Sequence, residues 1–113
     1  MGDRLAPVVI ALGGFCGAVS RHLAGTVVAD PEGTLLVNVA GSFALAATVG
    51  VVRSRRLRLF LTTGLLSSFT TYSTFAVESA SLGFPAGAAN VAATYALGVA
   101  AAALGLGLGR RVA

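Results

Sequence analysis

Between Thr62 and Phe75 the chain reads Thr-Thr-Gly-Leu-Leu-Ser-Ser-Phe-Thr-Thr-Tyr-Ser-Thr-Phe, with eight aliphatic hydroxyls in fourteen residues and no charge before Glu78. A Ser or Thr in an apolar helix normally bonds back to a carbonyl one turn earlier. Eight so close together exceed what that habit accounts for. Hydroxyls donate hydrogen bonds without carrying charge, so such a run can coordinate a small anion weakly enough to let it leave. It also suits a broken helix, whose freed amides and carbonyls are tolerated only inside protein or beside water. Tyr72 and Phe75 are three apart and share a face. Their ring edges, the positive part of the aromatic quadrupole, add a second uncharged surface facing an anion.

Two more polar side chains sit in apolar surroundings. Asn38 follows Gly33-Thr34-Leu35-Leu36-Val37, on the side of its helix that also carries Thr34, Gly41 and Ser42. Its amide is either glue between helices or a donor lining an aqueous vestibule. Arg21 shares a face with Gly14 and Gly17, and an Arg at that depth is costly unless paired or functional. It either snorkels to the outer interface or provides a fixed positive charge near an anion entrance. His22 falls on a neighbouring face and reads as interfacial.

The elements that position these residues follow from composition. The chain has 113 residues, 56% of them apolar, and only 11% are charged. A soluble domain carries about 25%, and one this small cannot hide so much apolar chain from water. Disorder is excluded by the same numbers, and a disulfide scaffold by the single cysteine, Cys16. The expected fold is an all-α membrane protein, one domain over 1–113, with spans at about 5–28, 34–52, 59–80 and 86–108. Asp30-Pro31-Glu32-Gly33, Arg53-Ser54-Arg55-Arg56 and Gly83-Phe84-Pro85 separate them. The first span is too long for a cleavable signal peptide. A β-barrel lacks the strict alternation it needs.

All eight basic residues are Arg, and they stand at the edges of apolar runs, not on a solvated face as in a nucleic-acid binder. Four spans put both termini on one side, with Arg4, Arg53, Arg55, Arg56, Arg58, Arg110 and Arg111; Asp30, Glu32 and Glu78 fall on the other. That bias predicts both termini in the cytoplasm and a plasma- or inner-membrane location. Four short helices scarcely enclose a route alone, so a dimer is expected. Gly13, Gly17, Gly105 and Gly109 allow close helix contact, Asn90, Thr94, Gly98 and Gly105 form a packing stripe, and Cys16 reads as a small packing residue. No nucleotide loop, metal cluster or nucleophile–base pair is present, so no enzyme activity is expected.

Four blocks resemble the Fluc/CrcB fluoride-channel family over nearly the whole chain. Gly13-Gly14-Phe15-Cys16-Gly17-Ala18-Val19-Ser20-Arg21 is similar to its GGxxGAxxR, Gly33 to Asn38 to GTLxVN, and Thr63 to Phe75 to TGxxGGxTTFSTF; Tyr95 resembles its fourth-helix tyrosine. The resemblance implies an antiparallel dimer of four-helix subunits, the third helix broken at mid-membrane, with passive export of cytoplasmic fluoride along two narrow pathways. It implies a pathway of Asn38, Tyr72, Ser73, Thr74, Phe75 and Tyr95. It also implies a structural sodium ion at the dimer centre, held by backbone carbonyls at Ser67 and Thr70.

The chain departs from the family pattern at three places. Ser67-Ser68 stands for Gly-Gly, Tyr72 for the first phenylalanine, and Val99 for a frequent serine. An antiparallel homodimer needs one sequence to insert both ways, and this one-sided Arg distribution does not favour that. The expectation is a dimer with a related chain of opposite orientation. Two rivals remain: a proton-coupled antiporter of the small multidrug-resistance type, which needs a membrane-embedded carboxylate that the first span lacks, and a non-conducting membrane scaffold.

Overall fold

The computed structural model describes residues 4–112, all in helices and short turns. Helix α1 spans Ala6–Val27, with Pro7 in its first turn, where a fixed φ suits helix entry. Helix α2 spans Glu32–Val51 and opens on an acid that complements the helix dipole. Ser54 then accepts the Leu57 N–H and starts α3, Arg55–Arg58, so part of the expected Arg-rich loop is already a first helical turn. The winding loosens to a π-helix over Leu59–Leu66 and returns to α in α4, Ser67–Phe69. Thr70 is extended, with ψ 159°, and the helix stops. It restarts as α5, Ser73–Leu82, and ends at Gly83, whose φ of 69° lies in the region that favours glycine. Helix α6 runs Ala86–Val112, one turn beyond the expected end at 108. The added turn carries Arg110 and Arg111, cations that suit a helix C-terminus.

Three helices, α1, α2 and α6, are each long and apolar enough to cross a membrane. The expected third span is the broken one. Neither the piece before Thr70 nor the ten-residue α5 is as long as the roughly 20 residues a crossing takes.

The helices pair in parallel. Helix α1 lies along the π-helix through Gly13, Gly17 and Gly64: a Cβ on Gly13 would overlap the Phe60 carbonyl, one on Gly17 the Leu65 carbonyl, and one on Gly64 would sit 2.7 Å from the Ile10 carbonyl. Helix α2 lies along α6, where a Cβ on Gly105 would overlap the Phe43 carbonyl and one on Gly109 would meet Ala47 O at 2.9 Å. The glycine pairs expected to serve close helix contact therefore do so within one chain. Gly98 faces Ser42 and Asn90 donates to Ser79 Oγ at 2.9 Å, so most of the α6 stripe packs as expected.

The buried apolar residues are few: Val37, Ala46, Leu66, Phe75 and Ala101. Among the described residues no large side chain is fully buried, while Leu12, Phe15 and Leu104 are more than half exposed. Water would penalise that arrangement heavily; hydrocarbon would not. Cys16, expected as a small packing residue, lies on the exposed face of α1 and is not among this chain's buried residues.

Candidate functional site

One side chain holds the helix break in place. Asn38 Nδ2 donates to the Thr71 carbonyl at 2.8 Å, and the Thr71 N–H donates to Asn38 Oδ1 at 2.7 Å. In an uninterrupted helix that N–H would bond to Ser67 O; α2 supplies the acceptor instead. The glue reading of Asn38 is the one its contacts follow, and one Nδ2 hydrogen is left over. Ser42 Oγ donates to the Asn38 carbonyl at 2.8 Å.

The contacts continue from the break into α5 and α1. Thr71 Oγ1, one residue before the Tyr72 N-cap, accepts the Thr74 N–H at 3.2 Å and so satisfies one free amide in the first turn of the restarted helix. Thr74 Oγ1 accepts from Arg21 Nη2 at 2.9 Å. Arg21 thus turns toward α5, and its Nε is buried without a hydrogen-bond partner among the described residues. Of the eight hydroxyls in the run, those of Thr62, Ser67 and Thr70 bond back to Arg58, Thr63 and Leu66.

Three aromatic rings meet beside the break. Tyr72 and Phe75 have ring centroids 5.8 Å apart at 56°, and Phe75 and Tyr95 lie 6.0 Å apart, edge to face at 81°. Phe75 is buried, whereas Tyr72 and Tyr95 are 73% and 56% exposed. They line a groove of about 670 Å³ between α2, the broken helix and α6, together with Asn38, Ser67, Thr70 and Val99. Its walls are mostly apolar, with hydroxyls, one amide and ring edges as the polar features. That chemistry suits a small, weakly held anion.

The expected pathway residues divide between two sides of α5. Asn38, Tyr72, Phe75 and Tyr95 share the groove; Ser73 and Thr74 do not line it. Successive helical residues turn by about 100°, so positions 73 and 74 cannot face the way 72 and 75 do. Ser73 is exposed, and Thr74 faces Arg21. Arg21 and His22 line a separate cavity of about 260 Å³ with Gly25, Asp30 and Thr34.

The sequence reading missed two features. Buried Thr34 has its Oγ1 3.1 Å from both Asp30 Oδ1 and Glu78 Oε2, sharing one hydroxyl proton between two carboxyl groups. Thr34 was legible on the Asn38 face; its partner 44 residues away was not. Thr94 Oγ1 is buried with no partner among the described residues, and nothing in the sequence set it apart from the packing stripe.

The break also leaves carbonyl oxygens that a cation could use. With the Thr71 N–H given to Asn38, the Ser67 carbonyl loses its helical donor, and Thr70, in extended backbone, directs its carbonyl out of the helical ladder. Hard, uncharged oxygens of this kind fit a monovalent cation. They do not depend on a glycine at 67 or 68, because Ser67 and Ser68 keep helical backbone here.

The model of the family described as "CrcB-like protein, Camphor Resistance (CrcB)" matches residues 8–106. The chain belongs to the CrcB-like family. Among similar CrcB-like relatives, a protein of Halobacterium salinarum named fluoride-specific ion channel FluC 2 is 47% identical over 91% of this chain and 85% of its own length. Fluoride-specific ion channel FluC 1 of Natronomonas pharaonis is 50% identical, over 85% and 87%. Fluoride-specific ion channel FluC of Agrobacterium fabrum is 40% identical, over 92% and 95%. The match covers α1, the Asn38 pin, the helix break, the aromatic cluster and most of α6.

Proposed function

We propose that this chain is a subunit of a fluoride-specific channel that lets cytoplasmic fluoride leave passively and so lowers its toxicity. The observation that carries the reading is the Asn38-pinned break beside the Tyr72–Phe75–Tyr95 edges, in a chain whose relatives are named for fluoride. A channel needs no covalent chemistry and no nucleotide. It needs donors that replace part of the ion's hydration shell and release it again. Ring edges, hydroxyls and the spare Asn38 N–H are such donors.

In this reading the broken helix is the third of four spans, its two pieces together crossing the bilayer. The Arg-rich end, with both termini, faces the cytoplasm of a plasma or inner membrane. Asn38, Tyr72, Phe75 and Tyr95 form the pathway wall. Ser73 and Thr74 present hydroxyls on the far side of α5, with Arg21 drawing the anion toward them. The functional unit is an antiparallel dimer with a related subunit of opposite orientation, which covers the groove left open in one chain. The Ser67 and Thr70 carbonyls would hold a structural sodium ion, which when bound at the dimer interface would supply a fixed positive charge.

Fluoride efflux from liposomes containing the purified chain, with and without its nearest related subunit and with chloride as control, tests this. Fluoride flux only with the partner is expected. Flux from the single chain would keep the channel and remove the heterodimer; no flux in either case would favour a scaffold subunit.

A further inference from the structure

The conduction reading leaves a concentration of positive charge unused. Arg53 and Arg55 flank Ser54 in the turn after α2, and Arg110 and Arg111 lie in the last turn of α6. These segments are distant in sequence but adjacent in space. A Cβ on Gly50 would sit 3.1 Å from the Gly109 carbonyl carbon and 3.5 Å from the Arg110 nitrogen. Two helix ends therefore bring four guanidinium groups to one end of the molecule. All four residues are exposed, and none of their guanidinium groups has a hydrogen bond or ion pair with another described residue. Arg58 differs, because its Nη2 donates to the Val52 carbonyl at 2.8 Å.

Among the described residues, no acidic side chain lies at this end. Asp30, Glu32 and Glu78 are the described acids; Thr34 ties Asp30 and Glu78 together at the opposite end, where Glu32 opens α2. Next to the guanidinium groups, the same segments expose Val51, Leu57, Leu108 and Val112, at 41%, 48%, 48% and 65%. Charged heads above an apolar wall match the layout of a phospholipid. Guanidinium pairs well with phosphate oxygens, and the wall takes acyl chains. A soluble anion would use only the first half of that surface.

We propose that this end is a binding site for an anionic phospholipid, its phosphate held between the α2–α3 turn and the C-terminus of α6. The site is independent of whether the groove conducts.

The full chain, purified in neutral detergent, is titrated with phosphatidylglycerol, phosphatidylcholine or inorganic phosphate, reading retained lipid by native mass spectrometry and thermal unfolding alongside. Phosphatidylglycerol is expected to be retained over phosphatidylcholine and to raise the unfolding temperature. Arg53→Gln and Arg110→Gln should each weaken retention by about fivefold, the effect of one Arg near an anionic surface. Arg4→Gln, elsewhere at the same end, should leave it unchanged. All these side chains are exposed, so the variants keep the fold. Equal retention of the two lipids overturns the proposal, as does retention unaffected by Arg53→Gln or Arg110→Gln. An equal loss in Arg4→Gln would mean a diffuse field, not a site. Displacement by inorganic phosphate at the lipid's own concentration would mean a small-anion site, and would overturn the proposal as well.

Discussion

Asn38 bonds to both the N–H and the C=O of Thr71, so one amide replaces two backbone partners that the interrupted helix has lost. Asn38→Leu keeps the branched outline of the side chain and removes both bonds. Leaving this part-buried donor and acceptor unpaired costs at most about 3 kcal/mol each. Thermal unfolding in detergent should show a markedly lower midpoint, and fluoride efflux should fall with it. Phe75 gives the complementary case. Its ring touches Tyr72 and Tyr95 through edges and faces, and it is 6% exposed. Phe75→Leu keeps an apolar filling but no ring edge. We expect fluoride flux to drop at least about tenfold, equivalent to about 1.4 kcal/mol, with the unfolding midpoint moving much less. A midpoint loss matching that of Asn38→Leu would make Phe75 a packing residue only.

At the scale of elements, glycine decides how closely the helices approach. Gly105 faces α2 so closely that any Cβ overlaps the Phe43 carbonyl, while a Cβ on Gly107, half a turn away, meets nothing within 4 Å. Gly105→Ala must push α2 and α6 apart and should destabilise the chain by about 1–3 kcal/mol, as overpacking does. Gly107→Ala, by contrast, should be neutral or stabilising by up to about 1 kcal/mol, the difference in helix propensity. Denaturation of the pair in the same detergent compares them directly. The broken helix follows the same logic in reverse. Its π-wound stretch packs on Gly13 and Gly17 of α1, and its break is held by α2, so the irregular backbone lies where other helices can satisfy it.

At the scale of the molecule, the parallel pairing of α1 with the broken helix and of α2 with α6 separates the charges. Arg53, Arg55, Arg110 and Arg111 gather at one end, and Asp30 and Glu78 meet through Thr34 at the other. Arg21 alone among the described arginines lies at the acidic end, beside Asp30, and a polarity this one-sided should give one insertion orientation. Trypsin added to oriented membrane vesicles should cut the Arg53–Arg58 segment only when the cytoplasmic face is exposed. Cleavage of about half the molecules from either face would mean dual insertion, and the requirement for a partner of opposite orientation would fall.

Much of this protein was legible in its residues. Apolar composition and turn signals placed α1, α2 and α6 to within a few residues, because a helix in hydrocarbon must satisfy its own backbone and runs as long as its apolar stretch. The crowding of hydroxyls located the helix break, and a three-residue spacing put Tyr72 beside Phe75. The tertiary structure decided the rest, since each remaining feature joins residues far apart in the chain. No local pattern says that the Asn38 amide is taken up by Thr71, that Arg21 reaches Thr74, or that Tyr95 completes the aromatic cluster. Nor does spacing reveal that Ser73 and Thr74 turn away from Phe75's groove, which the restart of α5 after an extended residue fixes. Composition sets which helices form; the distance at which glycines let them meet sets which side chains share a site.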